Sequence, residues 1–160
     1  MSHKIIIRRE KRKLGHPFTG LLIRKAVTMA LRAEQIPECC MVNVLLTDGD
    51  GIRDVNRQFR DTDRETDVLS FPFNECVPGA FQAEACERDP QSGMILLGDM
   101  MISVPRCEEQ GKEFGHGYRR EVMYLSVHSV LHLLGYDHVD EGRMKEKMRA
   151  REKMIMGDQK

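Results

Sequence analysis

One stretch near the end of the chain limits its possible folds and chemistry more than any other. It holds three of the six histidines at the spacing His-x-x-x-His-x-x-Gly-x-x-His, whose fixed positions are His128, His132, Gly135 and His138. Residues 119–127 before it contain no glycine or proline, so a helix is expected there. Two residues four apart on a helix are rotated by about 40° and separated by about 6 Å along its axis, so both imidazoles can reach one ion.

The rest of this stretch is expected to bring in a third ligand. Gly135 can end the helix in a left-handed conformation, after which the turn returns His138 toward the first two histidines. A single histidine on an apolar helix would more simply be a hydrogen-bonded core residue, but this spacing predicts a metal site. Three neutral nitrogens leave one corner of a tetrahedral ion for water, as in catalytic zinc sites. We therefore predict one divalent ion, Zn²⁺ in the first instance, on His128, His132 and His138.

The residue after the first histidine separates two classes of metalloenzyme. Zinc peptidases with this spacing have a glutamate there, which acts as the general base. This chain has Ser129, and a serine cannot take a proton from water at neutral pH without a base of its own. A metallohydrolase of peptides or small molecules therefore stays an alternative, but it lacks the residue on which that chemistry depends.

Length and composition predict one domain over residues 1–160. No apolar run approaches about 18 residues, and the N-terminal apolar stretch is far too short for a signal peptide, so we expect a cytoplasmic protein without a membrane partner. The five cysteines include no Cys-x-x-Cys pair and are expected to be reduced thiols. Lysine and arginine together number 25, as do aspartate and glutamate, which counts against non-specific coating of nucleic acid.

Hydrophobic periodicity predicts interleaved strands and helices. Strands are expected at residues 4–9, 41–46, 66–72 and 94–104, the last as one strand or a tight pair. Helices are expected at 17–33, after a cap at Thr47 or Asp48, at 105–114, around the first two histidines and at 140–156. Residues 74–93 are expected to form a long polar loop, either a functional cover or a disordered insertion. We predict an α+β (α/β-like) single domain in which about five helices flank a small mixed β-sheet, with the metal site at the end of one helix and the following turn.

A second region, Asn56 to Pro72, contains an arginine of interest. Arg60 follows a short helix and precedes an apolar strand, so it could present its planar guanidinium to a phosphate. Considered alone, it is more simply a surface salt bridge.

Three motifs together resemble the YbeY family of bacterial ribosomal RNA maturation factors. The histidine stretch matches its signature except at Ser129, where that family usually has glycine, a small change that should leave coordination intact. Asn-x-x-Phe-Arg followed by Thr-Asp-Val-Leu-Ser-Phe-Pro resembles its second signature, with Arg60 on the functional arginine. The third motif is Gly98-Asp99, in which Asp99 either stabilises a bend or accepts a hydrogen bond from a ligand histidine.

This resemblance implies a metal-dependent, single-strand-specific endoribonuclease. Its substrate would be precursor ribosomal RNA, at the 3′ end of 16S rRNA, with a further role in ribosome quality control. Ribosomal proteins or the small subunit are implied as partners. Metal-activated water or hydroxide would act on the phosphodiester while Arg60 binds the phosphate. A non-catalytic ribosome-assembly factor, whose metal only joins a helix to a loop, stays a second alternative.

Overall fold

The computed structural model describes residues 2–137 and 142–157. Those residues form four strands, five α-helices and a short 3₁₀ turn at Ala83–Ala85. The strands are β1 (Lys4–Arg9), β2 (Cys40–Thr47), β3 (Val68–Pro72) and β4 (Ile95–Ser103). The helices are α1 (Thr19–Ala33), α2 (Gly49–Arg60), α3 (Val104–Glu113), α4 (Gly117–Leu133) and α5 (Arg143–Met156).

The four strands form one mixed sheet in the order β1-β2-β4-β3. β1, β2 and β4 are parallel, and β3 pairs antiparallel with β4. β3 is therefore an edge strand, and among the described strands it pairs only with β4. The fold prediction of a small mixed sheet with about five helices is confirmed.

The two faces of the sheet are covered unequally. Alternate residues of β1, β2 and β4, such as Ile5, Val44 and Ile102, point into the main core with α1, α3, α4 and α5. A smaller cluster around Ile52 and Met101 packs α2 on the other face. α4 is the central helix, because it packs against α1, α3, α5 and β3. The histidines of α4 lie between β3 and α5, where this packing leaves a cavity.

The boundaries expected from the sequence hold to within a few residues, and the differences have local causes. The short helix is capped by Asp48 and not by Thr47, since the Asp48 carboxylate accepts a hydrogen bond from the Gly51 N–H at 3.0 Å. The last helix begins at Arg143, whereas the expected acidic start at residues 140–141 lies outside the described residues. Across the described ranges, no helix has the length and apolarity needed to cross a membrane.

Candidate active site

The two described histidines of the motif lie in one cavity with Arg60. His128 and His132 lie on successive turns of α4. Both line a cavity of about 560 Å³, and β3 forms its opposite wall. Arg60, at the last position of α2, lines the same cavity. The fold therefore brings together side chains that are 68 or more residues apart in the sequence.

His128 is oriented from behind by the C-terminal helix. Its Nδ1–H donates to the Glu152 carboxylate of α5 at 2.5 Å, and the Tyr124 hydroxyl donates to the other oxygen of that carboxylate at 2.8 Å. Burial alone would raise the pKa of Glu152, but the hydrogen bond from His128, followed by that from Tyr124, holds this pKa below its usual value. The carboxylate is therefore ionised, accepts both hydrogen bonds, and directs His128 Nε2 away from α5.

His132 is oriented by the turn that follows its own helix. Its Nδ1–H donates to the Tyr136 carbonyl oxygen at 2.9 Å. The Tyr136 hydroxyl donates to Glu34 at 2.9 Å, and Arg151 donates to the same carboxylate at 2.7 Å. Burial and the Glu34 carboxylate raise the pKa of Tyr136 to about 12, so its hydroxyl stays a donor. The turn is thus fixed to both α1 and α5.

The two Nε2 atoms fit a shared cation. They lie 3.1 Å apart, and two nitrogens bound to one tetrahedral zinc at about 2.0–2.1 Å would be separated by about 3.3 Å. Each Nδ1–H faces a group that can only accept, a carboxylate or a carbonyl, so in the neutral tautomers both Nε2 atoms are lone-pair acceptors. Two such lone pairs repel at this distance unless a positive charge lies between them.

The third predicted ligand, His138, lies outside the described residues. Within the described part of the chain, no group of three or more histidine, cysteine or acidic side chains could hold an ion. Gly135, between the second and third histidines, has a φ of 100°, as expected for the residue that reverses the chain after α4. A side chain there would meet the Cys76 carbonyl, so the turn packs directly on the 74–93 loop.

Arg60 is anchored on β3 by one hydrogen bond, and most of its N–H donors stay available for a ligand. One terminal nitrogen donates to the Ser70 carbonyl at 2.7 Å, and the guanidinium lies 5.5 Å from the centre of the Phe71 ring. The guanidinium has five N–H donors, so a planar edge remains for a phosphate. The surface salt bridge that Arg60 alone would suggest is not formed with any described acidic residue.

Ser129 does not line the cavity. It is completely buried, and its hydroxyl lies 2.7 Å from that of Ser70. The hydrogen bond joins α4 to the strand whose carbonyl holds Arg60. Ser129 therefore connects the α4 wall of the cavity to the β3 wall.

Two other groups near the site have structural roles. Burial, together with neighbouring Cys86, raises the pKa of Cys76 in the cavity wall to about 11, so its thiol is protonated at neutral pH and is a poor nucleophile. Asp99 accepts a hydrogen bond from Asn43 at 2.9 Å on the sheet face that packs α2. Of the two roles considered for Asp99, the structure thus favours the hydrogen-bonded carboxylate beside the irregularity at Gly98.

Sequence reasoning missed the residues behind the histidines. The sequence patterns assign no site role to Glu152, Tyr124 or Tyr136. A signal was present, because an acidic residue in line with buried Met148 and Ile155 needs a partner. The identity of that partner depends on how α5 packs on α4.

The chain is similar to known proteins over most of its length. The family model described as endoribonuclease YbeY matches residues 4–160. Proteins named endoribonuclease YbeY from Clostridium kluyveri (strain NBRC 12016) and Clostridium acetobutylicum are 42% and 45% identical over 141 residues. The alignments cover 84% of this chain and 85% and 84% of those proteins. The solution structure of TM1509 from Thermotoga maritima is similar with a TM-score of 0.57 and 26% identity, covering 96% of this chain and 89% of the other.

Proposed function

The chain belongs to the endoribonuclease YbeY family, and from that premise we propose that it is a metal-dependent, single-strand-specific endoribonuclease. Its substrate is precursor ribosomal RNA, cut at the 3′ end of 16S rRNA, and it also acts in ribosome quality control. The observation that supports this best is the shared cavity of Arg60 and two converging imidazoles. Ribosomal proteins or the small subunit are its proposed partners, in the cytoplasm.

In this proposal His128, His132 and His138 hold one divalent ion, Zn²⁺ in the first instance. The two described imidazoles suit it, because their Nε2 atoms are 3.1 Å apart and their Nδ1 atoms are already bonded. When bound, the ion supplies Lewis acidity, which polarises a phosphoryl oxygen and acidifies water at neutral pH. Glu152 keeps His128 in the tautomer that offers Nε2.

Arg60 binds the scissile phosphate and stabilises the negative charge that develops there. Its anchor on the Ser70 carbonyl and its contact with Phe71 fix the guanidinium before the substrate arrives. A fixed donor of this kind needs no reorganisation during the reaction, so it favours the transition state over the ground state. Lysine at this position would keep the charge but lose the planar, bidentate edge.

The attacking group can be water or the 2′-hydroxyl of the RNA itself. Attack by water leaves a linear phosphate on one fragment, whereas attack by the 2′-hydroxyl leaves a 2′,3′-cyclic phosphate. Neither route needs a general base at residue 129. Ser129 has no carboxylate with which to accept a proton, and its buried hydroxyl is already hydrogen-bonded to Ser70, which disfavours the peptidase alternative.

The experiment is a comparison of metal content and RNA cleavage for untagged wild type, His132→Ala and His16→Ala. His16 is a half-exposed histidine that contacts Glu108, Phe18 and Tyr118, none of which lines this cavity. We expect about one ion per chain and cleavage of single-stranded RNA in wild type and His16→Ala, with both lost in a folded His132→Ala. Metal-free wild type that still cut RNA would refute the proposal. Loss of folding with loss of metal would instead indicate a structural site.

A further inference from the structure

The cleft does not end at Arg60. A second cavity, of about 640 Å³, shares Arg60 and residues 66–69 as a common wall with the histidine cavity. Its far side is formed by Arg64, Arg106 and Gln110. Because β3 is an edge strand, the two cavities together follow its outer side. A five-residue strand is about 16 Å long, which exceeds the size of one phosphate group.

The loop that holds Arg64 is fixed in place. The Asn56 side-chain amide donates to the Arg64 carbonyl at 3.0 Å, and the Thr62 N–H donates to the Asn56 carbonyl at 3.3 Å. Asn56 is buried, so these hydrogen bonds are shielded from water. The asparagine of the Asn-x-x-Phe-Arg motif therefore positions the loop directly after Arg60, and with it the backbone of Arg64.

Two acidic residues close to Arg64 in the sequence, Asp63 and Asp67, are already engaged with other groups. Asp63 forms a two-point contact with Arg53, at 2.8 and 3.4 Å. Asp67 accepts from the Val68 N–H at 2.7 Å and from Gln110 at 3.3 Å. Within the described chain Arg64 forms no ion pair.

Arg106 forms only a weak ion pair, which would compete little with a bound phosphate. Its contact with Glu109 is 3.5 Å long, and both side chains are exposed, so solvent screens it. With Arg60, this cavity has three arginines against the acidic side chains of Glu65 and Asp67. The side chains that line this cavity therefore carry a net positive charge, although the net charge of the whole chain is zero.

We propose that the second cavity binds the phosphate of a neighbouring nucleotide in the same RNA strand, through Arg64 and Arg106. This inference rests on the proposed function: Arg60 binds the scissile phosphate, and the other two arginines bind the next phosphate along the edge of β3. Guanidinium groups suit this task, because arginine binds phosphate oxygens with two parallel hydrogen bonds. The site binds the RNA backbone and does not discriminate between base sequences.

The test compares two substrates of the metal-loaded enzyme. A single-stranded RNA of about ten nucleotides can fill both cavities, whereas a dinucleoside monophosphate has only the scissile phosphate. We expect Arg64→Ala and Arg106→Ala each to lower kcat/KM for the longer RNA by about three- to tenfold and to leave the dinucleoside monophosphate unchanged. For the longer RNA, each substitution should also reduce the slope of log(kcat/KM) against log[salt] by about 0.7.

Arg57→Ala is the matched control. Arg57 is an exposed arginine one turn before Arg60 that contacts Asp54 at 3.5 Å and lines neither cavity, so both substrates should be cut normally. Arg64→Lys should keep the salt slope, because the charge remains. Equal losses on both substrates, or losses no larger than that of Arg57→Ala, would overturn the inference. Wild type that cut neither RNA would refute the proposed function itself, which is a separate outcome.

Discussion

Replacing Glu152 with glutamine is expected to weaken metal binding without unfolding the protein. The carboxylate is 5% exposed and accepts from His128 and from Tyr124. Glutamine keeps the shape and can still accept from His128 through its amide oxygen, while its NH₂ group faces a tyrosine hydroxyl that must turn to accept. The substitution therefore removes the charge and keeps the packing.

The size of the effect follows from what the charge does. A hydrogen bond to an ionised acceptor is about twice as strong as a neutral one, and solvent hardly screens a site this deeply buried. Loss of the partner behind a ligand histidine typically costs 10- to 100-fold in metal affinity, or about 1.4–2.8 kcal/mol. We expect Glu152→Gln to fall near the lower end of that range, because its amide oxygen keeps a neutral hydrogen bond with His128.

The assay is a competition titration of Zn²⁺ between the protein and a chromophoric chelator, with thermal unfolding as the check on folding. Tyr124→Phe is the control, because it removes the other hydrogen bond to Glu152 and leaves the one with His128; its loss should stay below about threefold. In the metal-free protein, ¹⁵N NMR should find His128 protonated at Nδ1 in wild type. Affinity of Glu152→Gln within twofold of wild type, or an equal loss in Tyr124→Phe, would refute this reasoning.

Four further outcomes are expected. Arg60→Ala should lower kcat/KM for RNA by about 10²–10³-fold, with Arg60→Lys intermediate; unchanged kinetics would contradict its role. Chelation by EDTA should abolish cleavage and lower the unfolding temperature, both restored by Zn²⁺, since a ligand of the folded state stabilises it. Ser129→Gly should cost about 2 kcal/mol in urea unfolding, from a glycine inside a helix and the lost hydrogen bond to Ser70, with metal content unchanged. Gly135→Ala should cost about 1–3 kcal/mol, because its φ is 100° and the new Cβ would meet the Cys76 carbonyl; wild-type stability would show that the turn can move freely.

The sequence predicted those features that depend on neighbouring residues. The periodic segments gave strands and helices close to their observed bounds, and the four-residue spacing placed His128 and His132 on one side of α4. The predictions that depend on packing between distant segments were weaker. Spacing alone could not place Arg60 opposite the histidines, because that requires β3 to lie at the sheet edge beside α4; it was the family resemblance that singled out this arginine.

Acidic residues within apolar segments show the same limit. Glu152 and Asp99 each interrupt an apolar pattern, and each therefore needs a partner. The partner of Asp99 is Asn43 on the neighbouring strand β2, and the partner of Glu152 is a histidine on another helix. The sequence pattern indicates that a carboxylate in an apolar segment needs a hydrogen-bond partner. The register of the strands and the packing of the helices determine which group that partner is.

The dependence of His128 on Glu152 has a consequence during protein synthesis. The two residues are 24 positions apart, and at about 5–20 residues per second the ribosome needs about 1–5 s to add the intervening stretch. During that interval the histidine helix exists without the carboxylate that orients its first imidazole. In the proposed metal site, an ion bound before α5 docks would lack this orienting carboxylate, so full metal affinity is expected only once α5 has packed on α4.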